Sequence, residues 1–194
     1  VTFMDTGDEA LLEAAIRSNT KLIYLETPAN PTMKVVDLPG IANIAKKHGV
    51  TTVVDSTFAT PYLQKPIVQG IDVVIHSTTK FLGGHGDALG GVVVSNKEFI
   101  KELNLTSLQN IGAVAAPFNS WLILRGLKTL HVRMAWMCDS APGNAGPAVQ
   151  RLATGSKVST GSPDRARAIR SPSSTTQPFS TACTALPCVV HVIA

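Results

Sequence analysis

The chain reads as an α/β domain built on a mainly parallel sheet. Three observations predict this. Val-rich runs of five or six residues end in polar side chains, stretches with a helical apolar period lie between them, and no uncharged apolar run reaches the ~18 residues that a membrane span needs. With 194 residues, 44% of them hydrophobic and only 15% charged, the composition suits a globular core.

Taken in order, DEALLEAAIRS (8–18) places Leu11, Leu12, Ala15 and Ile16 on one helical face, and KLIYLE (21–26) follows as a short apolar strand. LPGIANIAKKHG (38–49) predicts a second helix with Ile41, Ile44 and Ala45 inward and Gly49 as its stop. TTVVD (51–55), DVVIHS (72–77) and GVVVS (91–95) are short and Val-rich, as expected of strands buried on both faces. Strands separated by helices imply parallel pairing. From about Ala135 the pattern dissolves. Residues 141–194 hold thirteen Ser/Thr and six of the twelve prolines without a lasting period, so the expected division is a partial large domain over 1–134 and an atypical tail over 135–194.

The formal charge of +4 is carried by the tail. Residues 1–140 hold twelve bases and twelve acids, and residues 141–194 hold five bases and one acid without interleaved aromatics, which argues against nucleic acid as a partner. Cys138, Cys183 and Cys188 have no C-x-x-C spacing, and His76 and His85 have no acidic or Cys partner at ligand spacing, so no metal is expected. Val1 opens no charged-then-apolar leader, and the expected location is cytoplasmic, without a membrane partner. A start at Val, directly upon the strand-like VTFMD, also predicts natural residues upstream.

In open parallel sheets ligands bind beyond the carboxyl ends of the strands. Glu26 and Asp55 end two strands here, and His76, Ser77, Thr79 and Lys80 end or follow a third. In H-S-T-T-K-F-L-G-G-H-G-D (76–87), a lysine after a buried strand, flanked by hydroxyls and followed by Gly-Gly, suits an amine that forms a Schiff base while Ser77 and Thr79 hold a phosphate. Asp55 suits a carboxylate that keeps a pyridine nitrogen protonated, and Thr57 is placed to support the ring or phosphate. In E-T-P-A-N-P-T (26–32) two prolines are expected to hold the segment extended, with the Asn30 amide free to meet a ligand oxygen.

The order L-x-E-T-P-A-N-P-T, V-V-D-S-T-F, H-S-T-T-K-F-L-G-G-H-G-D and L-R-G-L-K-T-L-H-V-R-M resembles the Cys/Met-metabolism family of pyridoxal-phosphate (PLP) enzymes, from Val1 to about Met134. The family includes cystathionine γ-lyase, methionine γ-lyase and cystathionine γ-synthase. The resemblance implies a fold-type-I, transferase-like large domain, pyridoxal 5'-phosphate as cofactor, a small sulfur amino acid as substrate and a homotetramer. It assigns Lys80 to the covalent link with PLP, Asp55 to the pyridinium nitrogen and Asn30 to the ring hydroxyl. It also assigns Ser77 and Thr79 to the phosphate and Thr57 to a place beside the ring. The activity it implies is γ-elimination, with γ-replacement of the synthase type or an inactive PLP-binding fragment as alternatives. The family continues after L-H-V-R-M with a charged helix, whereas this chain reads AWMCDSAPGNAGPAVQ. That departure implies that the tail is either a disordered extension or not the native continuation, as a shifted reading frame would produce.

Overall fold

The computed structural model describes residues 1–4 and 8–140, together with the backbone of a strand at 189–193. Helix α1 (Glu9–Ala15) starts where the Asp8 carboxylate accepts from the N–H groups of Ala10 and Leu11, at 2.9 and 3.2 Å. Strand β1 (Leu22–Glu26) leads to helix α2 (Leu38–His48), which the Asp37 side chain caps. Gly49 closes α2 at φ +64°, a conformation open to glycine without a Cβ penalty, and Lys46, Lys47 and His48 oppose the negative end of the helix dipole. Glu13 of α1 takes both Lys47 and His48 of α2, and the hydrogen bonds from Lys47 first, then from His48, hold its carboxyl below the usual range.

Strand β2 (Thr51–Asp55) is followed by the short helix α3 (Thr60–Leu63), a 3-10 turn (Pro66–Gln69) and strand β3 (Val73–Ser77). A π-helical turn (Thr78–Leu82) then precedes strand β4 (Gly91–Ser95). Helix α4 (Lys97–Leu103) runs through a second π turn (Asn104–Leu108) into α5 (Gln109–Ile111). Helices α6 (Pro117–Leu127) and α7 (Leu130–Ser140) form the last described corner, and strand β5 (Val189–Ile193) joins the sheet edge.

The sheet order is β1-β2-β3-β4-β5. The first three strands are parallel as expected, but β4 is antiparallel to β3 and β5 antiparallel to β4. The sheet is therefore mixed. A parallel neighbour needs a crossover that carries the chain back to the starting end of the sheet. Between Ser77 and Gly91 the chain forms only the π turn and a loop, and Thr78 N–H bonds Gly90 O at 2.9 Å, so it re-enters from the end it had just reached.

Partner residues of neighbouring strands share a face. One face carries Ile23, Leu25, Val54 and Val74 into a core with Leu12 of α1 and Leu38, Ile41 and Ala45 of α2. Continuing across the sheet, Val92 packs with Leu82, Leu130 and Met134. The opposite face is half-open: Leu22 and Tyr24 of β1 are 51% and 56% exposed. Strand β2, expected to be buried on both faces, buries Thr52 and Val54 on one face, while Thr51, Val53 and Asp55 on the other are only half-buried. Leu11 is likewise exposed, because the seven-residue α1 turns a face centred on Leu12 toward the core.

Two pieces of the stretch read as tail have regular structure. Helix α7 passes the expected boundary at Met134 and ends at Ser140, and the β-branched run VVHVI pairs with the open edge of β4. The remaining expectation for the tail, over 141–188, lies outside the described residues.

Candidate cofactor site

The sequence-derived site residues all lie on loops or strand ends at one edge of the sheet, where β1, β2 and β3 terminate. Asp55 and Ser77 end β2 and β3, Thr57 follows β2 by two residues, and Thr79 and Lys80 lie in the π turn after β3. Thr27 N–H bonds Asp55 O at 3.2 Å and so ties the loop of Asn30 to the end of β2.

Three of these residues form one hydrogen-bonded chain. Thr57 donates its N–H (2.9 Å) and its hydroxyl (2.6 Å) to Asp55 Oδ1, and Thr57 Oγ1 accepts from Ser77 N–H at 2.8 Å. Thr57 is buried and its single hydroxyl proton is committed to Asp55, so its role in this arrangement is to orient the carboxylate. Asp55 Oδ2 and the Ser77 hydroxyl have no hydrogen-bond partner among the described residues. Burial first, then the carboxylates of Asp55 and Glu26, raise the Tyr24 phenol above its ordinary value, as expected of groups sharing the half-open face.

Thr79 and Asn30 are placed differently from the expectation. The Thr79 hydroxyl exchanges bonds with the Gly90 backbone, accepting from its N–H at 3.1 Å and donating to its carbonyl at 3.3 Å, so it would have to release the carbonyl in order to donate to a phosphate. Asn30 is exposed, and its segment is a tight loop rather than extended: Met33 N–H bonds Ala29 O, and Ala29 N–H bonds Lys34 O at 3.0 Å. Both prolyl bonds of this loop, Thr27–Pro28 and Asn30–Pro31, are cis.

Lys80 is exposed and carries φ −90°, ψ −124°, outside helical values although it lies inside a helical turn. Its neighbour Phe81 meets Phe58 edge-on with ring centroids 5.9 Å apart, which couples the lysine turn to the loop after Asp55. Thr78 is 2% exposed, and its hydroxyl has no partner.

His76 and His85 make local contacts. His76 is buried with Nδ1 3.0 Å from Ser56 O, and burial lowers its pKa despite the opposing pull of that carbonyl and of Asp55. His85 Nδ1 lies 2.7 Å from Gly83 O. Among the described residues no group of three His, Cys, Asp or Glu could hold a metal ion.

Sequence reasoning missed Arg133, Gly126 and Thr78. Arg133 of α7 bonds Phe81 O beside the lysine, and a Cβ on Gly126 of α6 would lie 2.0 Å from Gly83 O. Their sequence signal was slight: both fall within R-G-L-K-T-L-H-V-R-M, which marks a motif without saying what it touches.

A PLP-type ligand needs a lysine amine, a carboxylate for its ring nitrogen and hydroxyl or amide donors for its phosphate. Lys80, the open oxygen of Asp55 and the unpartnered Ser77 hydroxyl offer one of each, so the residues present fit that cofactor.

Known proteins give the same answer. The family model of Cys/Met metabolism PLP-dependent enzymes matches residues 1–145. The chain is 49% identical over 143 residues to an L-methionine gamma-lyase of Porphyromonas gingivalis, covering 73% of this chain and 36% of that protein. It is 50% identical over 133 residues to a probable cystathionine gamma-synthase of Herpetosiphon aurantiacus, covering 68% and 41%. The crystal structure of cystathionine gamma-lyase from Lactobacillus plantarum complexed with L-serine superposes with a TM-score of 0.70 at 39% identity, over 78% of this chain and 45% of the other. The chain thus spans less than half the length of each of these three proteins. Four ordered motifs, a matching α/β fold and a family match over about three-quarters of the residues converge, and the chain belongs to the Cys/Met metabolism PLP-dependent enzymes.

Proposed function

We propose that this chain forms the cofactor-binding part of an enzyme that eliminates the γ-substituent of a sulfur amino acid, with Lys80 as the lysine that carries PLP. The observation that carries the reading is the open Asp55 oxygen on a carboxylate fixed by Thr57, at the same sheet edge as Lys80 and Ser77. When bound, PLP supplies an electron sink for the carbanion left by proton loss from the substrate. Asp55 Oδ2 holds a proton at the ring nitrogen, and a fixed carboxylate does this without reorganising. Ser77 donates to the phosphate, with Thr79 joining once it releases Gly90, and Asn30 meets the ring hydroxyl. The Lys80 amine removes the α proton, and loss of a second proton from the β carbon lets the sulfur depart from the γ carbon as a thiol. The γ carbon is then protonated, and water converts the α carbon to the carbonyl of a 2-oxo acid with release of ammonia.

γ-Replacement is a second reading, supported by the identity to the synthase of Herpetosiphon. Both outcomes use the same residues and differ in whether water or a thiol completes the reaction. The same proposal makes the complete enzyme a cytoplasmic homotetramer. Phe118, Trp121 and Leu124 of α6, each more than half exposed, are consistent with self-association. Among the described residues no helix is long and apolar enough to cross a membrane.

Turnover by the full-length protein tests the reading with three feeds: methionine, cystathionine, and an O-acylhomoserine with cysteine. Release of 2-oxobutanoate and ammonia from either of the first two supports γ-elimination, whereas pyruvate from cystathionine would mark β-elimination and reject it. Cystathionine formed from the third alone favours γ-replacement, and no turnover of any feed in a PLP-loaded protein rejects both.

A further inference from the structure

The backbone around Lys80 is held from outside its own turn. Within the turn, Gly83 N–H bonds Thr78 O at 2.9 Å and Gly84 N–H bonds Lys80 O at 2.8 Å, yet Lys80 between them is twisted out of helical geometry. Arg133 supplies the outside support. Its Nη1 donates to Phe81 O at 2.8 Å, its Nη2 to Gly126 O at 3.0 Å and its Nε to Thr129 Oγ1 at 3.0 Å. One planar fork therefore joins the residue directly after the lysine to the last turn of α6, where exposed carbonyls favour a cation.

Space is made for this fork by missing side chains. A Cβ on Gly84 would lie 2.3 Å from Arg133 Nη1, and one on Gly126 would lie 2.0 Å from Gly83 O. Burial alone pulls the Arg133 guanidinium below its ordinary value, and no carboxylate contributes. The contacts are all to backbone carbonyls and a hydroxyl, so the residue is spent on fixing chain geometry rather than on balancing charge.

We propose that Arg133 is a positioning residue: by clamping the Phe81 carbonyl to the end of α6 it fixes the backbone twist at Lys80 and hence the direction from which the amine reaches its ligand. This rests on the reading of Lys80 as the PLP lysine. A lysine at 133 would keep the charge but could not span three acceptors in a plane, which separates a clamp from a simple counter-charge.

The test compares the full-length protein with its Arg133→Met and Arg133→Lys variants by native-state hydrogen exchange, by the visible circular dichroism of added PLP and by borohydride trapping of PLP on lysines. The expected result is exchange at the Gly83 and Gly84 amides roughly tenfold faster in both variants, the scale of losing one such hydrogen bond. Amides of β1 and β2 should be unchanged. The dichroism should alter, and the share of trapped label on Lys80 should fall toward that of the other lysines.

Unchanged exchange and unchanged labelling in Arg133→Met would overturn the proposal. So would faster exchange spread evenly over the sheet, which marks a general loss of stability, or an Arg133→Lys protein that behaves as the parent. If the parent protein itself carries no label on Lys80, the lysine assignment fails instead, and the exchange data still report whether the clamp exists.

Discussion

The two faces of the sheet are built from alternate residues of the same strands and have opposite tasks. Ile23 and Leu25 of β1, Val54 of β2 and Val74 of β3 point into the core against α1 and α2 and are 7% exposed or less. One residue away along the chain, Tyr24, Glu26 and Asp55 occupy the other face, which is polar toward its carboxyl end and half-open. The period of two in a strand lets five residues supply both a hydrophobic anchor and a reactive group. The anchor fixes where the reactive group stands. Thr57, two residues on, orients the Asp55 carboxylate, while the fully buried Val54 beside it holds the strand in register.

The sharpest way to break this comparison is to truncate neighbours on opposite faces. Leu25→Ala should destabilise the protein by about 2–5 kcal/mol, whereas the adjacent Tyr24→Ala, on the exposed face, should stay within about 0.5 kcal/mol. Chemical denaturation of the two variants measures the contrast, and similar losses would mean that the two faces are not divided as described. The converse experiment is Asp55→Asn, which keeps size and hydrogen-bonding capacity. Its turnover should fall roughly 100-fold or more, the scale of removing one preorganised electrostatic partner, with the denaturation midpoint nearly unchanged. A variant that loses stability and keeps its activity would reverse the assignment.

A smaller effect distinguishes the faces by pH. His76 lies on the core face, and burial lowers its folded pKa from 6.5, so the unfolded chain takes up the proton first. Stability is therefore complete above pH 6.5 and declines as pH falls from there toward the lowered folded value. Replacing His76 with Gln should flatten this part of the stability profile. A profile that keeps its slope over that window in the Gln variant would show that another group is responsible.

Much of this arrangement was legible in the residues. The strands at 51–55 and 91–95 and the helix from 38 with its Gly49 stop have the expected bounds, because apolar period and capping are local properties. The direction of β4 was not legible. Nothing within GVVVS says from which end of the sheet the chain enters, and that is decided by the length and conformation of the 78–90 connection. Proline spacing suggested an extended loop around Asn30, but backbone hydrogen bonds between Ala29 and both Met33 and Lys34 close it, a pairing that the spacing does not specify.

For the site, residue types that carry chemistry were visible as a lysine, hydroxyls and a carboxylate at strand ends. Arg133 was not, since its partners are main-chain carbonyls, which every sequence possesses, and only the glycines at 83, 84 and 126 hinted that backbones meet there.

The most direct test of the whole account is where PLP becomes attached. Surface amines react with the aldehyde in proportion to exposure, so the nine other lysines of the chain serve as internal controls. After PLP is added to the full-length protein and the adduct is reduced with borohydride, peptide mass spectrometry should find the phosphopyridoxyl group chiefly on the peptide containing Lys80. Lys80→Ala should abolish that dominant site and leave the weak background on the others. A labelling pattern that is spread over the exposed lysines and is unchanged by Lys80→Ala, in a folded protein, would contradict the placement of the cofactor and with it the proposed chemistry.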